Sequence, residues 1–340
     1  MKVAINGFGR IGRLFFRQAW GNPDLEIVAI NDLGNVDDLA YLLKRDTVYR
    51  TWDVDVKGDA SKGALIVGGK EIKFLQQKDA TQLPWGTLGI DVVIESTGVF
   101  ESYEKAKVHL DAGAKRVVIT APAKDADGEL GQTILVGVNE EKLGVCKISS
   151  NGSCTTNSAS PVIAVLSENP GIEKAILTTV HSYTATQSLV DGPVKGEDFR
   201  RGRAAAQNIV PSTTGAAIAV SRALPELVDK FDGIAVRVPS VTGSTSDITF
   251  ISKRPTTVEE INSILKAAAA LPRWQGILTV SEEPLVSSDI IGMPYGAIVD
   301  MKFTKVVGGN LVKVLSWYDN EWGYVSTLIK HLKKVKDVIK

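Results

Sequence analysis

Apolar and polar positions along the chain fall into two regimes. Through about residue 150, short and nearly continuous apolar runs alternate with stretches of helical period. The runs KVAING (2–7), EIVAIND (26–32), DVVIEST (91–97), RVVITAP (116–122) and ILVGVN (134–139) read as strands buried on both faces, the signature of parallel strands. Helical patterns lie between some of them, as at 11–20 and 102–112. Strand–helix–strand alternation predicts a parallel sheet with helices on both faces. From about Ser149 the runs lengthen: KAILTTVHSYT (174–184), GIAVRVP (233–239), SDITFISKR (246–254), GAIVDMKFT (296–304) and NLVKVLSWYD (310–319). VVGG between the last two predicts a hairpin turn. Thr257 to Glu260 fits a capping box at a helix start. Val325, Leu328, Ile329 and Leu332 recur at helical spacing, so an amphipathic helix closes the chain. The expected fold is α/β. A doubly wound parallel sheet occupies 1–150 and is joined by the closing helix within 318–340. An α+β unit with a largely antiparallel sheet occupies 151–317.

Composition narrows the function classes. The chain has 340 residues, 44% hydrophobic and 23% charged, which suits two domains and excludes wholesale disorder. Lys+Arg and Asp+Glu both number 39, so the chain lacks the basic footprint of a nucleic-acid binder. FRRGR (199–203) on a neutral chain reads as intersubunit or substrate-side electrostatics. No apolar run approaches about 18 residues, so no membrane span is expected. The opening MKVAINGFGR lacks the apolar stretch of a secretory leader. Two cysteines cannot build a disulfide framework and point to a reducing, cytoplasmic setting. With no C-x-x-C or H-x-x-x-H spacing, no metal site is expected.

Gly7, Gly9 and Gly12 form G-x-G-x-x-G between a predicted strand and a predicted helix. Absent side chains permit a tight turn and close approach to a pyrophosphate, and the helix start offers free N–H groups. Arg10 and Ile11, inside the turn, are expected on the pyrophosphate and adenine side. Asp32 ends the second strand about 20 residues on, where a carboxylate accepts from ribose hydroxyls and repels a 2′-phosphate. This favours NAD. Such folds bind ligands at strand ends, which is where Thr97 and Thr120 fall.

Cys146 reads as a small buried residue. Cys154 lies where KISS turns into a helix, among Ser153, Thr155, Thr156 and Asn157. A helix start stabilises a thiolate. Of three histidines, His109 is expected at the surface or half-buried, and His331, beside Lys330, Lys333 and Lys334, in solvent. His181 lies on a β-rich run, and a strand holds a base rigidly against a thiolate. Taken alone it would be structural; with Cys154 in the same chain it is the expected base.

These residues carry a resemblance. GFGRIGR (7–13), ND (31–32), STG (96–98), SCTTN (153–157), HSYTATQ (181–187), STTGAA (212–217), RVP (237–239) and WYDNEWGY (317–324) resemble, in order and over essentially the whole chain, the phosphorylating glyceraldehyde-3-phosphate dehydrogenases. The resemblance implies a Rossmann-type NAD domain and a catalytic domain. It puts the nucleophile on Cys154 and the base on His181, with a hemithioacetal, a thioester and attack by inorganic phosphate. The thiolate is expected to have His181 as its cationic partner, and the Cys154 N–H and His181 as oxyanion donors. Thr184 and Arg237 are implied for the phosphate of glyceraldehyde 3-phosphate. Ser153, Thr214 and Gly215 are implied for the attacking phosphate, with Thr155 as a further substrate-side contact. Asn320 is implied for the nicotinamide amide. A homo-oligomer, a homotetramer, is implied, with the segment 183–203 between subunits; Pro193 in it accords with NAD preference. Gly152 stands where Ala is usual, and Ser158 where many members carry a second cysteine. The alternative enzyme is an erythrose-4-phosphate dehydrogenase, which hydrolyses the acyl-enzyme. A non-catalytic dinucleotide-sensing or RNA-associating protein is disfavoured by the presence of both Cys154 and His181. An aspartate-semialdehyde dehydrogenase is disfavoured by SCTTN with WYDNEWGY.

Overall fold

The computed structural model describes residues 1–194 and 196–339. The chain divides into two compact units. The first comprises Met1–Ile134, Asn139–Gly152 and Leu328–Lys340, the second Leu135–Val138 and Ser153–Thr327. The last of these boundaries, between Thr327 and Leu328, falls inside the closing helix.

The strands of the first unit are β1 (Lys2–Asn6), β2 (Glu26–Asn31), β3 (Val56–Asp59), β4 (Ala64–Val67), β5 (Lys70–Leu75), β6 (Val92–Glu95), β7 (Arg116–Ile119), β8 (Gly131–Thr133) and β9 (Ile148–Ser150). They form one sheet in the order β3-β4-β5-β2-β1-β6-β7-β9-β8. Pairing is parallel from β5 to β8, and only β3–β4 and β4–β5 are antiparallel. Val3, Ala4, Ile5, Val92, Val93 and Ile94 are completely buried, which is why β1 and β6 read as unbroken apolar runs. The helices are α1 (Arg10–Ala19), α2 (Val36–Lys44) and the one-turn α3 (Trp85–Leu88), α4 (Tyr103–Ala106) and α5 (Val108–Asp111). Asn35 starts α2 by accepting the Asp37 N–H at 2.7 Å. The single helix expected over 102–112 is thus two short ones meeting at Lys107.

The run 134–139 is not a strand. Val138 N–H bonds back to Leu135 O at 2.9 Å, and Gly137 takes φ +83°, so the backbone turns. A Cβ at Gly137 would stand 2.7 Å from the Trp274 ring. Val136 and Val138 are apolar because they pack into the core of the second unit.

That unit holds β10 (Ile172–Ser182), β11 (Val210–Thr213), β12 (Phe231–Val238), β13 (Ser244–Ser252), β14 (Leu278–Ser281), β15 (Ala297–Val307) and β16 (Leu311–Tyr318). Their order is β11-β12-β10-β13-β16-β15-β14, with only β10–β12 and β14–β15 parallel. Helices α6 (Cys154–Glu168), α7 (Ala216–Ala223) and α8 (Val258–Ala269) belong here, and α9 (Trp322–Val338) closes the chain. Val162, Ile163 and Leu166 of α6 join Leu177, Ile248, Phe250, Val312 and Val314 of the sheet in one core. Gly308 (φ +60°) and Gly309 (φ +80°) make the β15–β16 turn, which needs two left-handed residues. Thr257 caps α8 on the Glu260 N–H at 3.2 Å, while the Glu260 carboxylate accepts from Arg254 and Thr256 instead of completing a box.

Two histidine expectations are corrected. His331 is completely buried, with Nε2 2.8 Å from Ser149 Oγ and Nδ1 3.0 Å from Asn151 Oδ1. It lies one helical turn from both Leu328 and Val335 and so shares their buried face, while the neighbouring lysines point elsewhere. His109 is also completely buried, because Glu95 and Trp85 supply polar partners inside the unit. No helix among the described residues is long and apolar enough to cross a membrane.

Candidate active site

In the first unit, β1 is where the winding reverses: β2 lies on one side and β6 on the other. Loops leaving such neighbours part and open a crevice at the carboxyl ends of the strands. A cavity of about 470 Å³ lies there, lined by Gly7, Gly9, Asp32, Leu33 and Thr97 among others. The three glycines differ in purpose. A Cβ at Gly7 (φ +97°) would stand 2.7 Å from the Ser96 backbone, and one at Gly12 2.2 Å from Gly7 O, so both serve the protein's own packing. A Cβ at Gly9 would meet nothing within 4 Å; what Gly9 keeps clear is open space over the start of α1. No side chain caps α1 and its first turn holds no acidic residue, so the positive dipole end at its start suits an anion.

Asp32 accepts the Phe8 N–H on Oδ2 (2.6 Å) and the Gly34 N–H on Oδ1 (2.8 Å). Two backbone donors fix the carboxylate, and each oxygen retains a lone pair for ribose hydroxyls. The space over Gly9, the helix start and the oriented acid fit a dinucleotide. Thr97 donates its N–H to Glu95 at 2.8 Å, and the Thr120 hydroxyl donates to the Glu95 carbonyl at 3.0 Å. Arg10 turns to the Asp46 carboxylate and lies 5.7 Å over the Tyr49 ring, and Ile11 continues α1.

In the second unit, Ser153 caps α6. Its Oγ accepts the Thr156 N–H at 3.1 Å, and the Thr156 hydroxyl accepts the Ser153 N–H at 3.1 Å. Both halves of a capping box close, which sets Cys154 in the first helical turn with partial exposure. The long strand β10 delivers His181, and its parallel neighbour β12 delivers Arg237 in direct register. Cys154 Sγ stands 3.3 Å from His181 Nε2. Arg237 Nη1 lies 2.6 Å from His181 Nδ1 and donates to Ser182 O at 3.0 Å.

Burial pulls His181 down to about 3, and Arg237 acts in the same direction. Burial pushes the Cys154 thiol up, opposed by Arg237 and by the Thr155 and Cys154 amides. Burial thus disfavours the charged form of each group. Arg237 is a cation that favours the thiolate, beside the His181 partner expected from the sequence. His181 Nδ1 also lies 2.7 Å from Ser182 O. Nδ1 cannot accept from Arg237 and donate to that carbonyl at once. With Arg237 in place the ring proton sits on Nε2, towards sulfur. With Arg237 withdrawn, Nδ1 donates to Ser182 and Nε2 presents a lone pair to the thiol, the form a base needs.

Tyr318 has no role in the sequence reading beyond its place in WYDNEWGY, yet it braces this site. Its hydroxyl lies between Thr155 Oγ1 (2.9 Å) and Thr179 Oγ1 (2.7 Å), and its ring meets His181 edge-on at 5.9 Å. Asn320 Oδ1 accepts from Ser182 Oγ (2.9 Å), Ser244 Oγ (3.0 Å) and the Gly243 N–H (3.1 Å), which fixes the amide. Thr184 pairs with Thr186 at 2.9 Å. Thr214 accepts the Ala216 N–H at 3.2 Å beside Gly215, the N-cap of α7. Cys154, His181 and Arg237 thus converge, with Thr155 tied in through Tyr318, while Thr184 and Thr214 make local bonds. No group of three or more His, Cys, Asp or Glu among the described residues is placed to hold a metal ion.

Residues 1–103 match the family model described as glyceraldehyde 3-phosphate dehydrogenase, NAD binding domain, and residues 153–320 the one described as glyceraldehyde 3-phosphate dehydrogenase, C-terminal domain. The chain is 51% identical over 335 residues to the glyceraldehyde-3-phosphate dehydrogenase of Thermotoga maritima, covering 98% of each. It is 49% identical over 326 residues to that of Geobacillus stearothermophilus, covering 95% of each. To that of Clostridium pasteurianum it is 46% identical over 343 residues, covering 100% of this chain and 99% of the relative. Its cofactor is NAD. With both domains matched and nearly the full length shared, the chain belongs to the glyceraldehyde-3-phosphate dehydrogenase family.

Proposed function

We propose that this chain oxidises glyceraldehyde 3-phosphate and passes the acyl group to inorganic phosphate, forming 1,3-bisphosphoglycerate. The observation that carries the reading is Cys154 Sγ 3.3 Å from His181 Nε2 at a capped helix start. Sulfur attacks the aldehyde carbon, its proton passes through His181 to the carbonyl oxygen, and a hemithioacetal forms. His181 then takes the hydroxyl proton as the carbon is oxidised to a thioester. NAD, when bound, supplies the hydride acceptor for that oxidation. Phosphate attacks the thioester carbon, the C–S bond breaks, and the thiolate returns. The Cys154 N–H and His181 donate to the developing oxyanion.

Thr184 and Arg237 hold the phosphate of the substrate. A guanidinium drawn to that phosphate leaves Nδ1 of His181, which couples substrate binding to a working base. Ser153, Thr155, Thr214 and Gly215 receive the attacking phosphate. Gly7, Gly9, Arg10, Ile11, Gly12, Thr97 and Thr120 form the dinucleotide side, Asp32 takes the ribose hydroxyls, and Asn320 takes the nicotinamide amide. The subunits form a cytoplasmic homotetramer through the segment 183–203. Leu189, Val190 and Phe199 on that segment are 75%, 72% and 79% exposed, apolar area that a partner surface would cover.

The test is NAD reduction with glyceraldehyde 3-phosphate, with and without phosphate. Rapid turnover that needs phosphate is expected. Undiminished turnover without phosphate, or a preference for erythrose 4-phosphate, would overturn the phosphorylating reading.

A further inference from the structure

Beneath the crevice of the first unit runs a buried polar chain that the proposed chemistry does not use. Glu95, at the end of β6, is 2% exposed. Its Oε1 accepts both the N–H (2.8 Å) and the hydroxyl of Thr97. Its Oε2 accepts from Asn6 Nδ2 at 2.6 Å and faces His109 Nε2 at 2.9 Å. On the far side of the ring, the Trp85 indole N–H donates to His109 Nδ1 at 3.2 Å. An indole only donates, so Nδ1 holds a lone pair and the ring proton sits on Nε2, aimed at Glu95. The direction continues through the other partner. Asn31 Nδ2 donates to Asn6 Oδ1 at 2.8 Å, and the Gln77 N–H donates to Asn31 Oδ1 at 2.9 Å. These bonds run towards Glu95, with Asn31 Nδ2 also donating back to Gln77 O at 3.0 Å, and four donors converge on the two carboxylate oxygens. Asn6, Asn31, Gln77 and Thr97 are also walls of the crevice.

We propose that Glu95 is a positioning residue for NAD. Oriented by His109 and Trp85, it fixes the crevice wall formed by Thr97, Asn6 and Asn31. This rests on the assignment of the crevice as the NAD site. Only an ionised carboxylate takes four donors on two oxygens. A glutamine there turns an NH2 group against Thr97 or against the Asn6–His109 pair, so one side of the wall is released. A leucine at 109 leaves Oε2 short of a donor. A glutamine at 109 restores both contacts, its amide N–H donating to Glu95 and its oxygen accepting from Trp85.

The experiment measures NAD binding directly, by calorimetric titration of the full chain, beside KM for NAD, kcat and the melting temperature. E95Q and H109L are expected to weaken NAD binding about tenfold. Their kcat at saturating NAD should fall less than about threefold. H109Q should return the affinity to within about threefold of the wild type. Hydrogen exchange of residues 95–100 should quicken in E95Q and H109L and not in H109Q. Wild-type NAD affinity in E95Q and H109L with a lowered melting temperature would overturn the proposal, leaving a role in stability alone. So would a kcat loss larger than the KM change. If E95Q does not fold, H109L against H109Q carries the test. D32A separates the two readings. Unchanged NAD affinity in D32A removes the crevice assignment itself. Weakened affinity in D32A with none in E95Q removes only the role of Glu95.

Discussion

His109 in the first unit and His181 in the second are both buried, yet their surroundings differ in kind. Around His109 an indole donates to one nitrogen and a carboxylate accepts from the other, so the tautomer with its proton on Nε2 satisfies both. Around His181, Nδ1 lies between a guanidinium that donates and a carbonyl that accepts, and Nε2 faces a thiol. That ring has two satisfied states, and the position of Arg237 selects between them. A closed network holds a shape. A group that must gain and lose a proton is left with an alternative partner. The difference lies in the donor and acceptor inventory, because burial alone is nearly the same for the two.

The strongest way to break this contrast is to remove the thiol. Cys154→Ala should lower turnover by at least about 10⁴ while NAD affinity stays within about twofold, because nucleophile and crevice use different residues. Parallel turnover and binding measurements check it; substantial residual turnover would end the nucleophile assignment. Next is His181→Asn, expected to cost on the order of 10²–10⁴ in turnover through loss of the acid–base group. It should leave the pH profile of Cys154 alkylation nearly unmoved, because burial disfavours the protonated imidazole. A clear upward shift of that profile would restore the imidazolium ion pair.

Arg237→Leu sharpens the point from the other side. Arg237 favours the thiolate and disfavours protonated His181. Removing its charge should raise the pH at which iodoacetamide reacts with Cys154 and also raise the pKa of His181. The rate of alkylation at neutral pH should fall about tenfold, one pKa unit being a factor of ten in thiolate. KM for glyceraldehyde 3-phosphate should rise more than KM for unphosphorylated glyceraldehyde. Equal changes for both aldehydes would detach Arg237 from the substrate phosphate.

What was legible in the sequence followed how local the cause was. The glycine turn, Asp32 and the double winding were readable because a strand end, a turn and a helix start are set by neighbouring residues. The run 134–139 misled because Val136 and Val138 are apolar for the sake of a core supplied by distant segments. His109 and His331 misled because a polar side chain is buried when its partners are, and Glu95, Trp85, Ser149 and Asn151 are not its sequence neighbours. Cys154 and His181 were singled out from residue chemistry and then from family resemblance, and the fold brings them 3.3 Å apart. The contact of Arg237 with the base comes from the β10–β12 register, which no single-strand pattern carries. Tyr318 was invisible for the same reason: three elements bring Thr155, Thr179 and the phenol together.

The smallest expected effect returns to a buried histidine of the first unit. His331 is pulled down to about 3 by burial. In the unfolded chain it titrates near its ordinary value of about 6.5. Between those values the unfolded chain binds a proton that the folded chain does not, so a falling pH favours unfolding. The contribution is intact above about 6.5 and is lost as pH drops, at about 1.4 kcal/mol per unit, or about 2 kcal/mol by pH 5. His181 acts in the same direction from the second unit and adds its own share. His331→Gln should therefore lower stability at pH 7, through the altered contacts to Ser149 and Asn151, yet lose less on acidification than the wild type. Urea midpoints at pH 7, 6 and 5 decide it. Converging curves fit a histidine held neutral inside the fold, whereas parallel curves would mean that His331 is free to take up its proton there without unfolding.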